Sequence, residues 1–200
     1  MDKPRQDSSL PDFWNTRYAD NTMPWDAGSV PLALQRYLSA RQDKGSVLIP
    51  GCGSAYEAKY FHQNGWKTLA LDFSELAVKR AQTQLGELAH LVSQGDFFQQ
   101  DFSAQAFDLI YERTFLCALP RTWWPQYAQR MAQIIPSGKL LAGFYFFHDE
   151  AKGPPFGLQN DELNKLLDPY FVLLDDQPVP PQESISIMQN RERWQTWLRK

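Results

Sequence analysis

Short apolar or β-branched runs recur along this chain with helix-like segments between them, and that alternation constrains the fold more than any other feature. The runs are VLI at 47–49, TLALDF at 68–73, HLV at 90–92, FDLIYE at 107–112, LLAGFYFF at 140–147 and YFVLLD at 170–175. Helical patterns are predicted over 31–40, 55–63, 74–85, 122–135 and 160–167, with Ser74 and Asn160 placed as N-caps and PSG after Ile135 as a stop. Strands separated by helices connect through right-handed crossovers, which give a parallel sheet covered on both faces. The expectation is a doubly wound α/β domain. The tail breaks the rhythm: DDQPVPPQESIS holds three prolines, and RERWQTWLRK at 191–200 reads as an antiparallel strand beside 170–175 or as a short helix. The strand is the preferred reading.

At 200 residues and 43% hydrophobic, the chain suits one domain, 1–200, with a sizeable core. A net charge of -3 without a Lys/Arg cluster argues against nucleic acid and anionic lipid as partners. No apolar run approaches the roughly 18 residues of a membrane span, and the polar, proline-containing start lacks a signal peptide's apolar centre. Cys52 and Cys117 form neither a disulfide framework nor a CxxC pair, and His62, His90 and His148 lack metal-ligand spacing. A cytoplasmic monomer without a metal, acting on a small molecule, is expected.

The first strand leads into GSVLIPGCGSAYEAKYF at 45–61, the position where such sheets contact nucleotides. Gly51 and Gly53 permit a sharp turn and close backbone approach to a ligand. The third glycine of GxGxxG is replaced by Tyr56, which disfavours a dinucleotide and NAD-dependent oxidoreduction but leaves room for an adenosyl ligand without phosphate. Asp72, ending the second run, is placed to accept both ribose hydroxyls; Asp96 can accept from an adenine amino group and Phe97 can flank the base. Each signal has a plainer reading: a tight turn, the start of a helix, a loop acid before core aromatics. In order on three successive strands, they specify an adenosyl group.

The motifs FWNTRYADNTMPWDAG, PGCGSAY, ALDFSELAVKRA, GDFF, YERTFLCALP and KGPPF, in this order from about residue 13 to the end, resemble the thiopurine S-methyltransferase superfamily, which includes plant halide and thiol methyltransferases. The resemblance implies a Rossmann-like class I methyltransferase: a mostly parallel seven-stranded sheet with an antiparallel edge strand, helices on both faces, and S-adenosyl-L-methionine as cofactor. It places the amino acid part of the cofactor on the motif from Pro50 to Tyr56, which contains Gly51, Cys52 and Gly53. It places the ribose at Asp72 and Phe73, and the adenine at Asp96 and Phe97. The segment Glu112, Arg113, Thr114 then lies beside the sulfonium. Trp14 and Trp25 close over the cofactor, with 1–30 as an arm and 23–28 as part of a lid. On the substrate side the resemblance implies Arg113, Pro154, Pro155 and an arginine of NRERW; Glu112 stands where many relatives have Asp.

Methyl transfer from a sulfonium needs alignment and exclusion of water more than a dedicated catalytic group. A thiol acceptor reacts as its thiolate; Asp26 or Glu112 could relay the proton through water, and Arg113 either stabilises the anion or forms a structural ion pair. Cys52 and Cys117 read as packed side chains. The expected function is methylation of a thiol, sulfide or thiopurine sulfur. The alternatives are halide or selenium and tellurium methylation on the same fold, or a non-catalytic adenosyl-binding domain that senses.

Overall fold

The computed structural model describes residues 7–150, 152–159 and 161–200. Along the chain these form α1 (Pro11–Ala19), α2 (Leu32–Ser39), β1 (Ser46–Pro50), α3 (Tyr56–Gln63), β2 (Lys67–Asp72), α4 (Glu75–Leu85), β3 (Val92–Gln94), β4 (Leu109–Arg113), α5 (Trp124–Ile134), β5 (Leu140–Phe146), α6 (Glu162–Leu167), β6 (Phe171–Pro178) and β7 (Glu192–Arg199). One seven-stranded sheet has the order β3-β2-β1-β4-β5-β7-β6. β1 to β5 pair in parallel, with Ile49 beside Ala70 and Leu48 beside Ile110. β7 runs antiparallel to both β5 and β6, so the tail pairs with the 170–175 run as expected and also enters between it and β5.

Successive side chains of a strand point to opposite faces, and two cores divide accordingly. Val47, Ile49, Ala70, Leu109, Tyr111 and Phe144 pack under α2, α3 and α4. Leu48, Leu71, Ile110, Leu141 and Tyr145 pack under α5 and α6, where Tyr127, Met131, Leu163 and Leu167 are fully buried. Ser74 caps α4 as expected, its hydroxyl accepting from the Ala77 amide at 3.1 Å.

The differences from expectation are local. Gly86, with φ of 58°, ends α4, and a 3-10 turn over Gly86–Leu91 delays the third strand to Val92. The helix expected from 122 opens as a 3-10 turn, and its α part starts at Trp124 with a proline in the first turn, where a missing amide costs nothing. α1 has no apolar stripe and was not expected as a helix; a proline in its first turn, Asp12 near its start and Arg17 near its end support it. Asn160, the expected cap of α6, lies outside the described residues, as does the start of the arm. No described helix is long and apolar enough to cross a membrane.

Candidate active site

A pocket opens beyond the carboxyl ends of β1 to β4, where the strand order reverses on either side of β1. Its floor is the turn from Pro50 to Tyr56. Gly51, Gly53 and Ala55 all have positive φ, between 52° and 59°. The turn is tight: a Cβ on Gly51 would lie 2.5 Å from the Phe115 ring. The Cys52 amide donates to the Leu71 carbonyl at 3.1 Å, fixing the turn to β2. The Cys52 thiol is buried, and that burial pushes its pKa well up.

Asp72 ends β2 at the pocket wall. Its Oδ2 accepts from the Gly53 amide and its Oδ1 from the Ser74 amide, both at 3.0 Å. Burial lifts its pKa to about 6, against the pull of amide hydrogen bonds from Ser74, Gly53 and Phe73. Phe73 follows it on the wall.

Opposite stand α1 and the segment after it. The Trp14 and Trp25 rings meet edge to face at 5.2 Å, and Tyr18 meets Trp25 at 6.1 Å. Asp26 Oδ2 accepts from the Ser54 hydroxyl at 2.6 Å and Oδ1 from the Gly28 amide at 2.9 Å, which ties this segment to the glycine turn. Asn15 Oδ1 accepts from the Ser74 hydroxyl at 2.7 Å, docking α1 on the start of α4. Ser54 of the expected Pro50–Tyr56 turn lines the pocket, as do Tyr18, Glu57, Tyr111 and Phe115, which the sequence reading does not single out. The i, i+4 spacing of Trp14 and Tyr18 would have found Tyr18 once α1 was read as a helix.

Beyond β3, Asp96 turns its loop by accepting from the Phe98 amide at 2.8 Å. Phe97 packs edge to face on Phe98 and Phe115, both at 5.3 Å. Asp96, Phe97 and Thr114 all contribute to the wall.

β4 supplies Tyr111 and Arg113 to the pocket. The Arg113 guanidinium lies 4.7 Å from the Phe144 ring centroid, and its Nε is 3.9 Å from Glu192 Oε1, an ion pair too long for a hydrogen bond. Both atoms are buried without a hydrogen-bond partner. Glu57 Oε1 accepts from the Tyr111 hydroxyl at 3.4 Å. Burial raises the Glu57 pKa and the Arg113 charge opposes that rise.

Three expected site residues do not reach this wall. Glu112 alternates with Arg113 along β4, so its side chain enters the opposite core, fully buried, and accepts from the Phe115 amide at 3.1 Å and the Tyr127 hydroxyl at 3.3 Å. Burial pushes its pKa up to about 7, against those hydrogen bonds. Pro154 and Pro155 are half-buried in a loop whose Phe156 amide donates to the Cys117 carbonyl at 2.7 Å, and neither borders the pocket. In NRERW, Arg193 pairs with Asp176 at 2.7 Å on the outer strands.

Among the described residues lining the pocket, Arg113 is the one Lys or Arg, against Asp26, Glu57, Asp72 and Asp96. Such a wall repels a pyrophosphate and suits a ligand carrying positive charge.

The sequence model of the thiopurine S-methyltransferase family matches residues 9–200. The chain is 29% identical over 162 residues to probable thiol methyltransferase 2 of Arabidopsis thaliana, spanning 78% of this chain and 71% of that one. Thiocyanate methyltransferase 1 of Brassica oleracea is 26% identical over 193 residues, with 92% and 83% covered. The crystal structure of magnesium protoporphyrin IX methyltransferase from Synechocystis PCC 6803 with bound SAM has the same fold, with a TM-score of 0.75 at 16% identity and 100% of each chain covered.

Proposed function

The chain belongs to the thiopurine S-methyltransferase family of S-adenosylmethionine-dependent methyltransferases, and on that premise we propose that its acceptor is a small soft nucleophile, namely a thiol, a sulfide or a thiopurine sulfur. The cofactor fits the residues present: a glycine turn with positive φ at Gly51 and Gly53, a buried Asp72 carboxylate at its side and an acidic, aromatic wall. Bound S-adenosylmethionine supplies a methyl group on a cationic sulfur. Asp72 would accept from the ribose hydroxyls and Asp96 from the adenine amino group, with Phe97 against the base. The first amides of α3, which receive no side-chain cap, would face the carboxylate end. Trp14, Tyr18 and Trp25 would present ring electrons to the cation, and the Asp26–Ser54 tie would hold the segment 23–28 shut as a lid.

The observation that carries the acceptor reading is Arg113, the single Lys or Arg among the described residues of an otherwise acidic wall, with a buried Nε that finds no hydrogen-bond partner. A guanidinium there favours the ionised form of an acidic thiol and orients it. Asp26 is engaged by Ser54 and Gly28, and Glu112 faces the other core, so the thiol proton is left to solvent, which serves acceptors that ionise near neutral pH. The same Arg113 favours a second reading, a permanently charged acceptor such as a halide or a pseudohalide.

S-adenosylhomocysteine release is to be measured with hydrosulfide, methanethiol, thiophenol, a mercaptopurine, iodide and selenide. Turnover of thiols with a rate that rises through the acceptor's own pKa supports the proposal. Turnover of iodide alone, at a rate flat with pH, supports the second reading. Cofactor binding without release for any sulfur acceptor overturns the proposal.

A further inference from the structure

Glu112 is a carboxylate that the proposed chemistry does not use, yet the chain makes room for it. It is fully buried, and among the described residues no ion pair reaches it. On β5 beside it stands Gly143, where a Cβ would come within 2.2 Å of the Glu112 carbonyl oxygen and 3.0 Å of its Cγ. Its two oxygens are spent on Tyr127 of α5 and on the amide of Phe115. That amide belongs to a costly turn, since Thr114 has φ of 59°, in the left-handed region that threonine avoids. Phe115 in turn covers the glycine turn, its ring 2.5 Å from where a Gly51 Cβ would stand, and meets the Phe97 ring edge at 5.3 Å.

We propose that Glu112 is a positioning residue for the cofactor: from behind the sheet it holds the Phe115 amide, and so keeps the Phe115 ring clamped between Gly51 and Phe97. An ionised carboxylate accepts from an amide more strongly than a protonated one, so the clamp tightens as Glu112 loses its proton near pH 7. The titratable groups nearest it are Tyr111, next to it on β4 but turned to the other face, Cys117 after β4, Tyr127 on α5 and Tyr145 on β5. Burial raises the pKa of each, so all four stay neutral through this range and Glu112 titrates alone. By linkage, cofactor binding favours ionised Glu112, and affinity rises with pH.

The test is calorimetric titration of S-adenosylhomocysteine into wild type, Glu112→Gln and Tyr127→Phe from about pH 5 to about pH 8. No acceptor is present, so the result is independent of the thiol reading. Wild-type affinity should rise several-fold between about pH 6.5 and about pH 8. Glu112→Gln should bind about tenfold more weakly at the upper end, the scale of one hydrogen bond to a charged group, and lose that slope. The fall below about pH 6, which belongs to Asp72, should remain. Tyr127→Phe removes a donor to the carboxylate, so its slope should move to higher pH. A folded Glu112→Gln with wild-type affinity and wild-type slope overturns the proposal, as does lowered thermal stability with binding unchanged. Should Glu112→Gln fail to fold, an unmoved slope in Tyr127→Phe overturns it equally.

Discussion

The two halves of the pocket are built by different means. On the cofactor half, the carboxylates after the strand ends hold backbone amides: Asp72 those of Gly53 and Ser74, Asp96 that of Phe98. On the acceptor half, side chains meet side chains from far along the chain: Arg113 with Phe144 and Glu192, Glu57 with Tyr111. A site made of amides survives any substitution that keeps the turns, whereas a site made of distant side chains is respecified by one substitution. On the proposed reading, cofactor use belongs to the fold, and acceptor choice belongs to a few residues around Arg113.

The variant expected to break this contrast most visibly is Asp72→Ala. Cofactor affinity should weaken by about 1 to 3 kcal/mol, the range for losing hydrogen bonds to a charged group, as read by titration with S-adenosylhomocysteine. Arg113→Ala should act on the other half. The acceptor's kcat/KM should fall by roughly tenfold or more while cofactor affinity stays level; a change in stability alone would assign Arg113 to the fold. Trp25→Ala should speed cofactor release and weaken binding by about 1 kcal/mol, the value of an aromatic pair, in stopped-flow displacement.

Acid–base behaviour sharpens the same contrast. Asp72 and Glu112 have folded pKa values of about 6 and about 7, raised by burial above the ordinary carboxylate range. The folded state therefore binds more protons than the unfolded one in this window, and stability is lost as pH rises through about 6 and about 7. Melting temperature should fall across that window and fall less steeply in Asp72→Asn, in which Glu112 still titrates, while cofactor affinity rises over the same range. The smallest effect is expected for Cys52→Ala, which should leave methyl transfer measurable, because burial holds this thiol in its protonated form.

The same division governs what the sequence made legible. Sheet, crossovers and the edge pairing of 191–200 follow from alternating patterns, because each strand carries its own apolar run. The glycine turn and the carboxylates are local, so the places of Gly51, Asp72 and Asp96 on the pocket wall are legible from their positions after successive strands. The resemblance groups Glu112 with Arg113, although adjacent strand residues point to opposite faces; strand period alone separates them. Tyr18 lay hidden in a helix without an apolar stripe. Glu192 and Phe144 could not be connected to Arg113, since only the sheet order places β5 beside β4 and β7 beside β5. No spacing rule reaches across such pairings.

The most direct test of a two-part site is one paired measurement: S-adenosylhomocysteine affinity and acceptor KM, determined together for Asp72→Asn and Arg113→Ala. A clean split is predicted, with Asp72→Asn weakening cofactor affinity at nearly constant acceptor KM, and Arg113→Ala raising acceptor KM at constant cofactor affinity. Both variants moving both constants in step would mean that the halves are one cooperative unit, and would contradict the account.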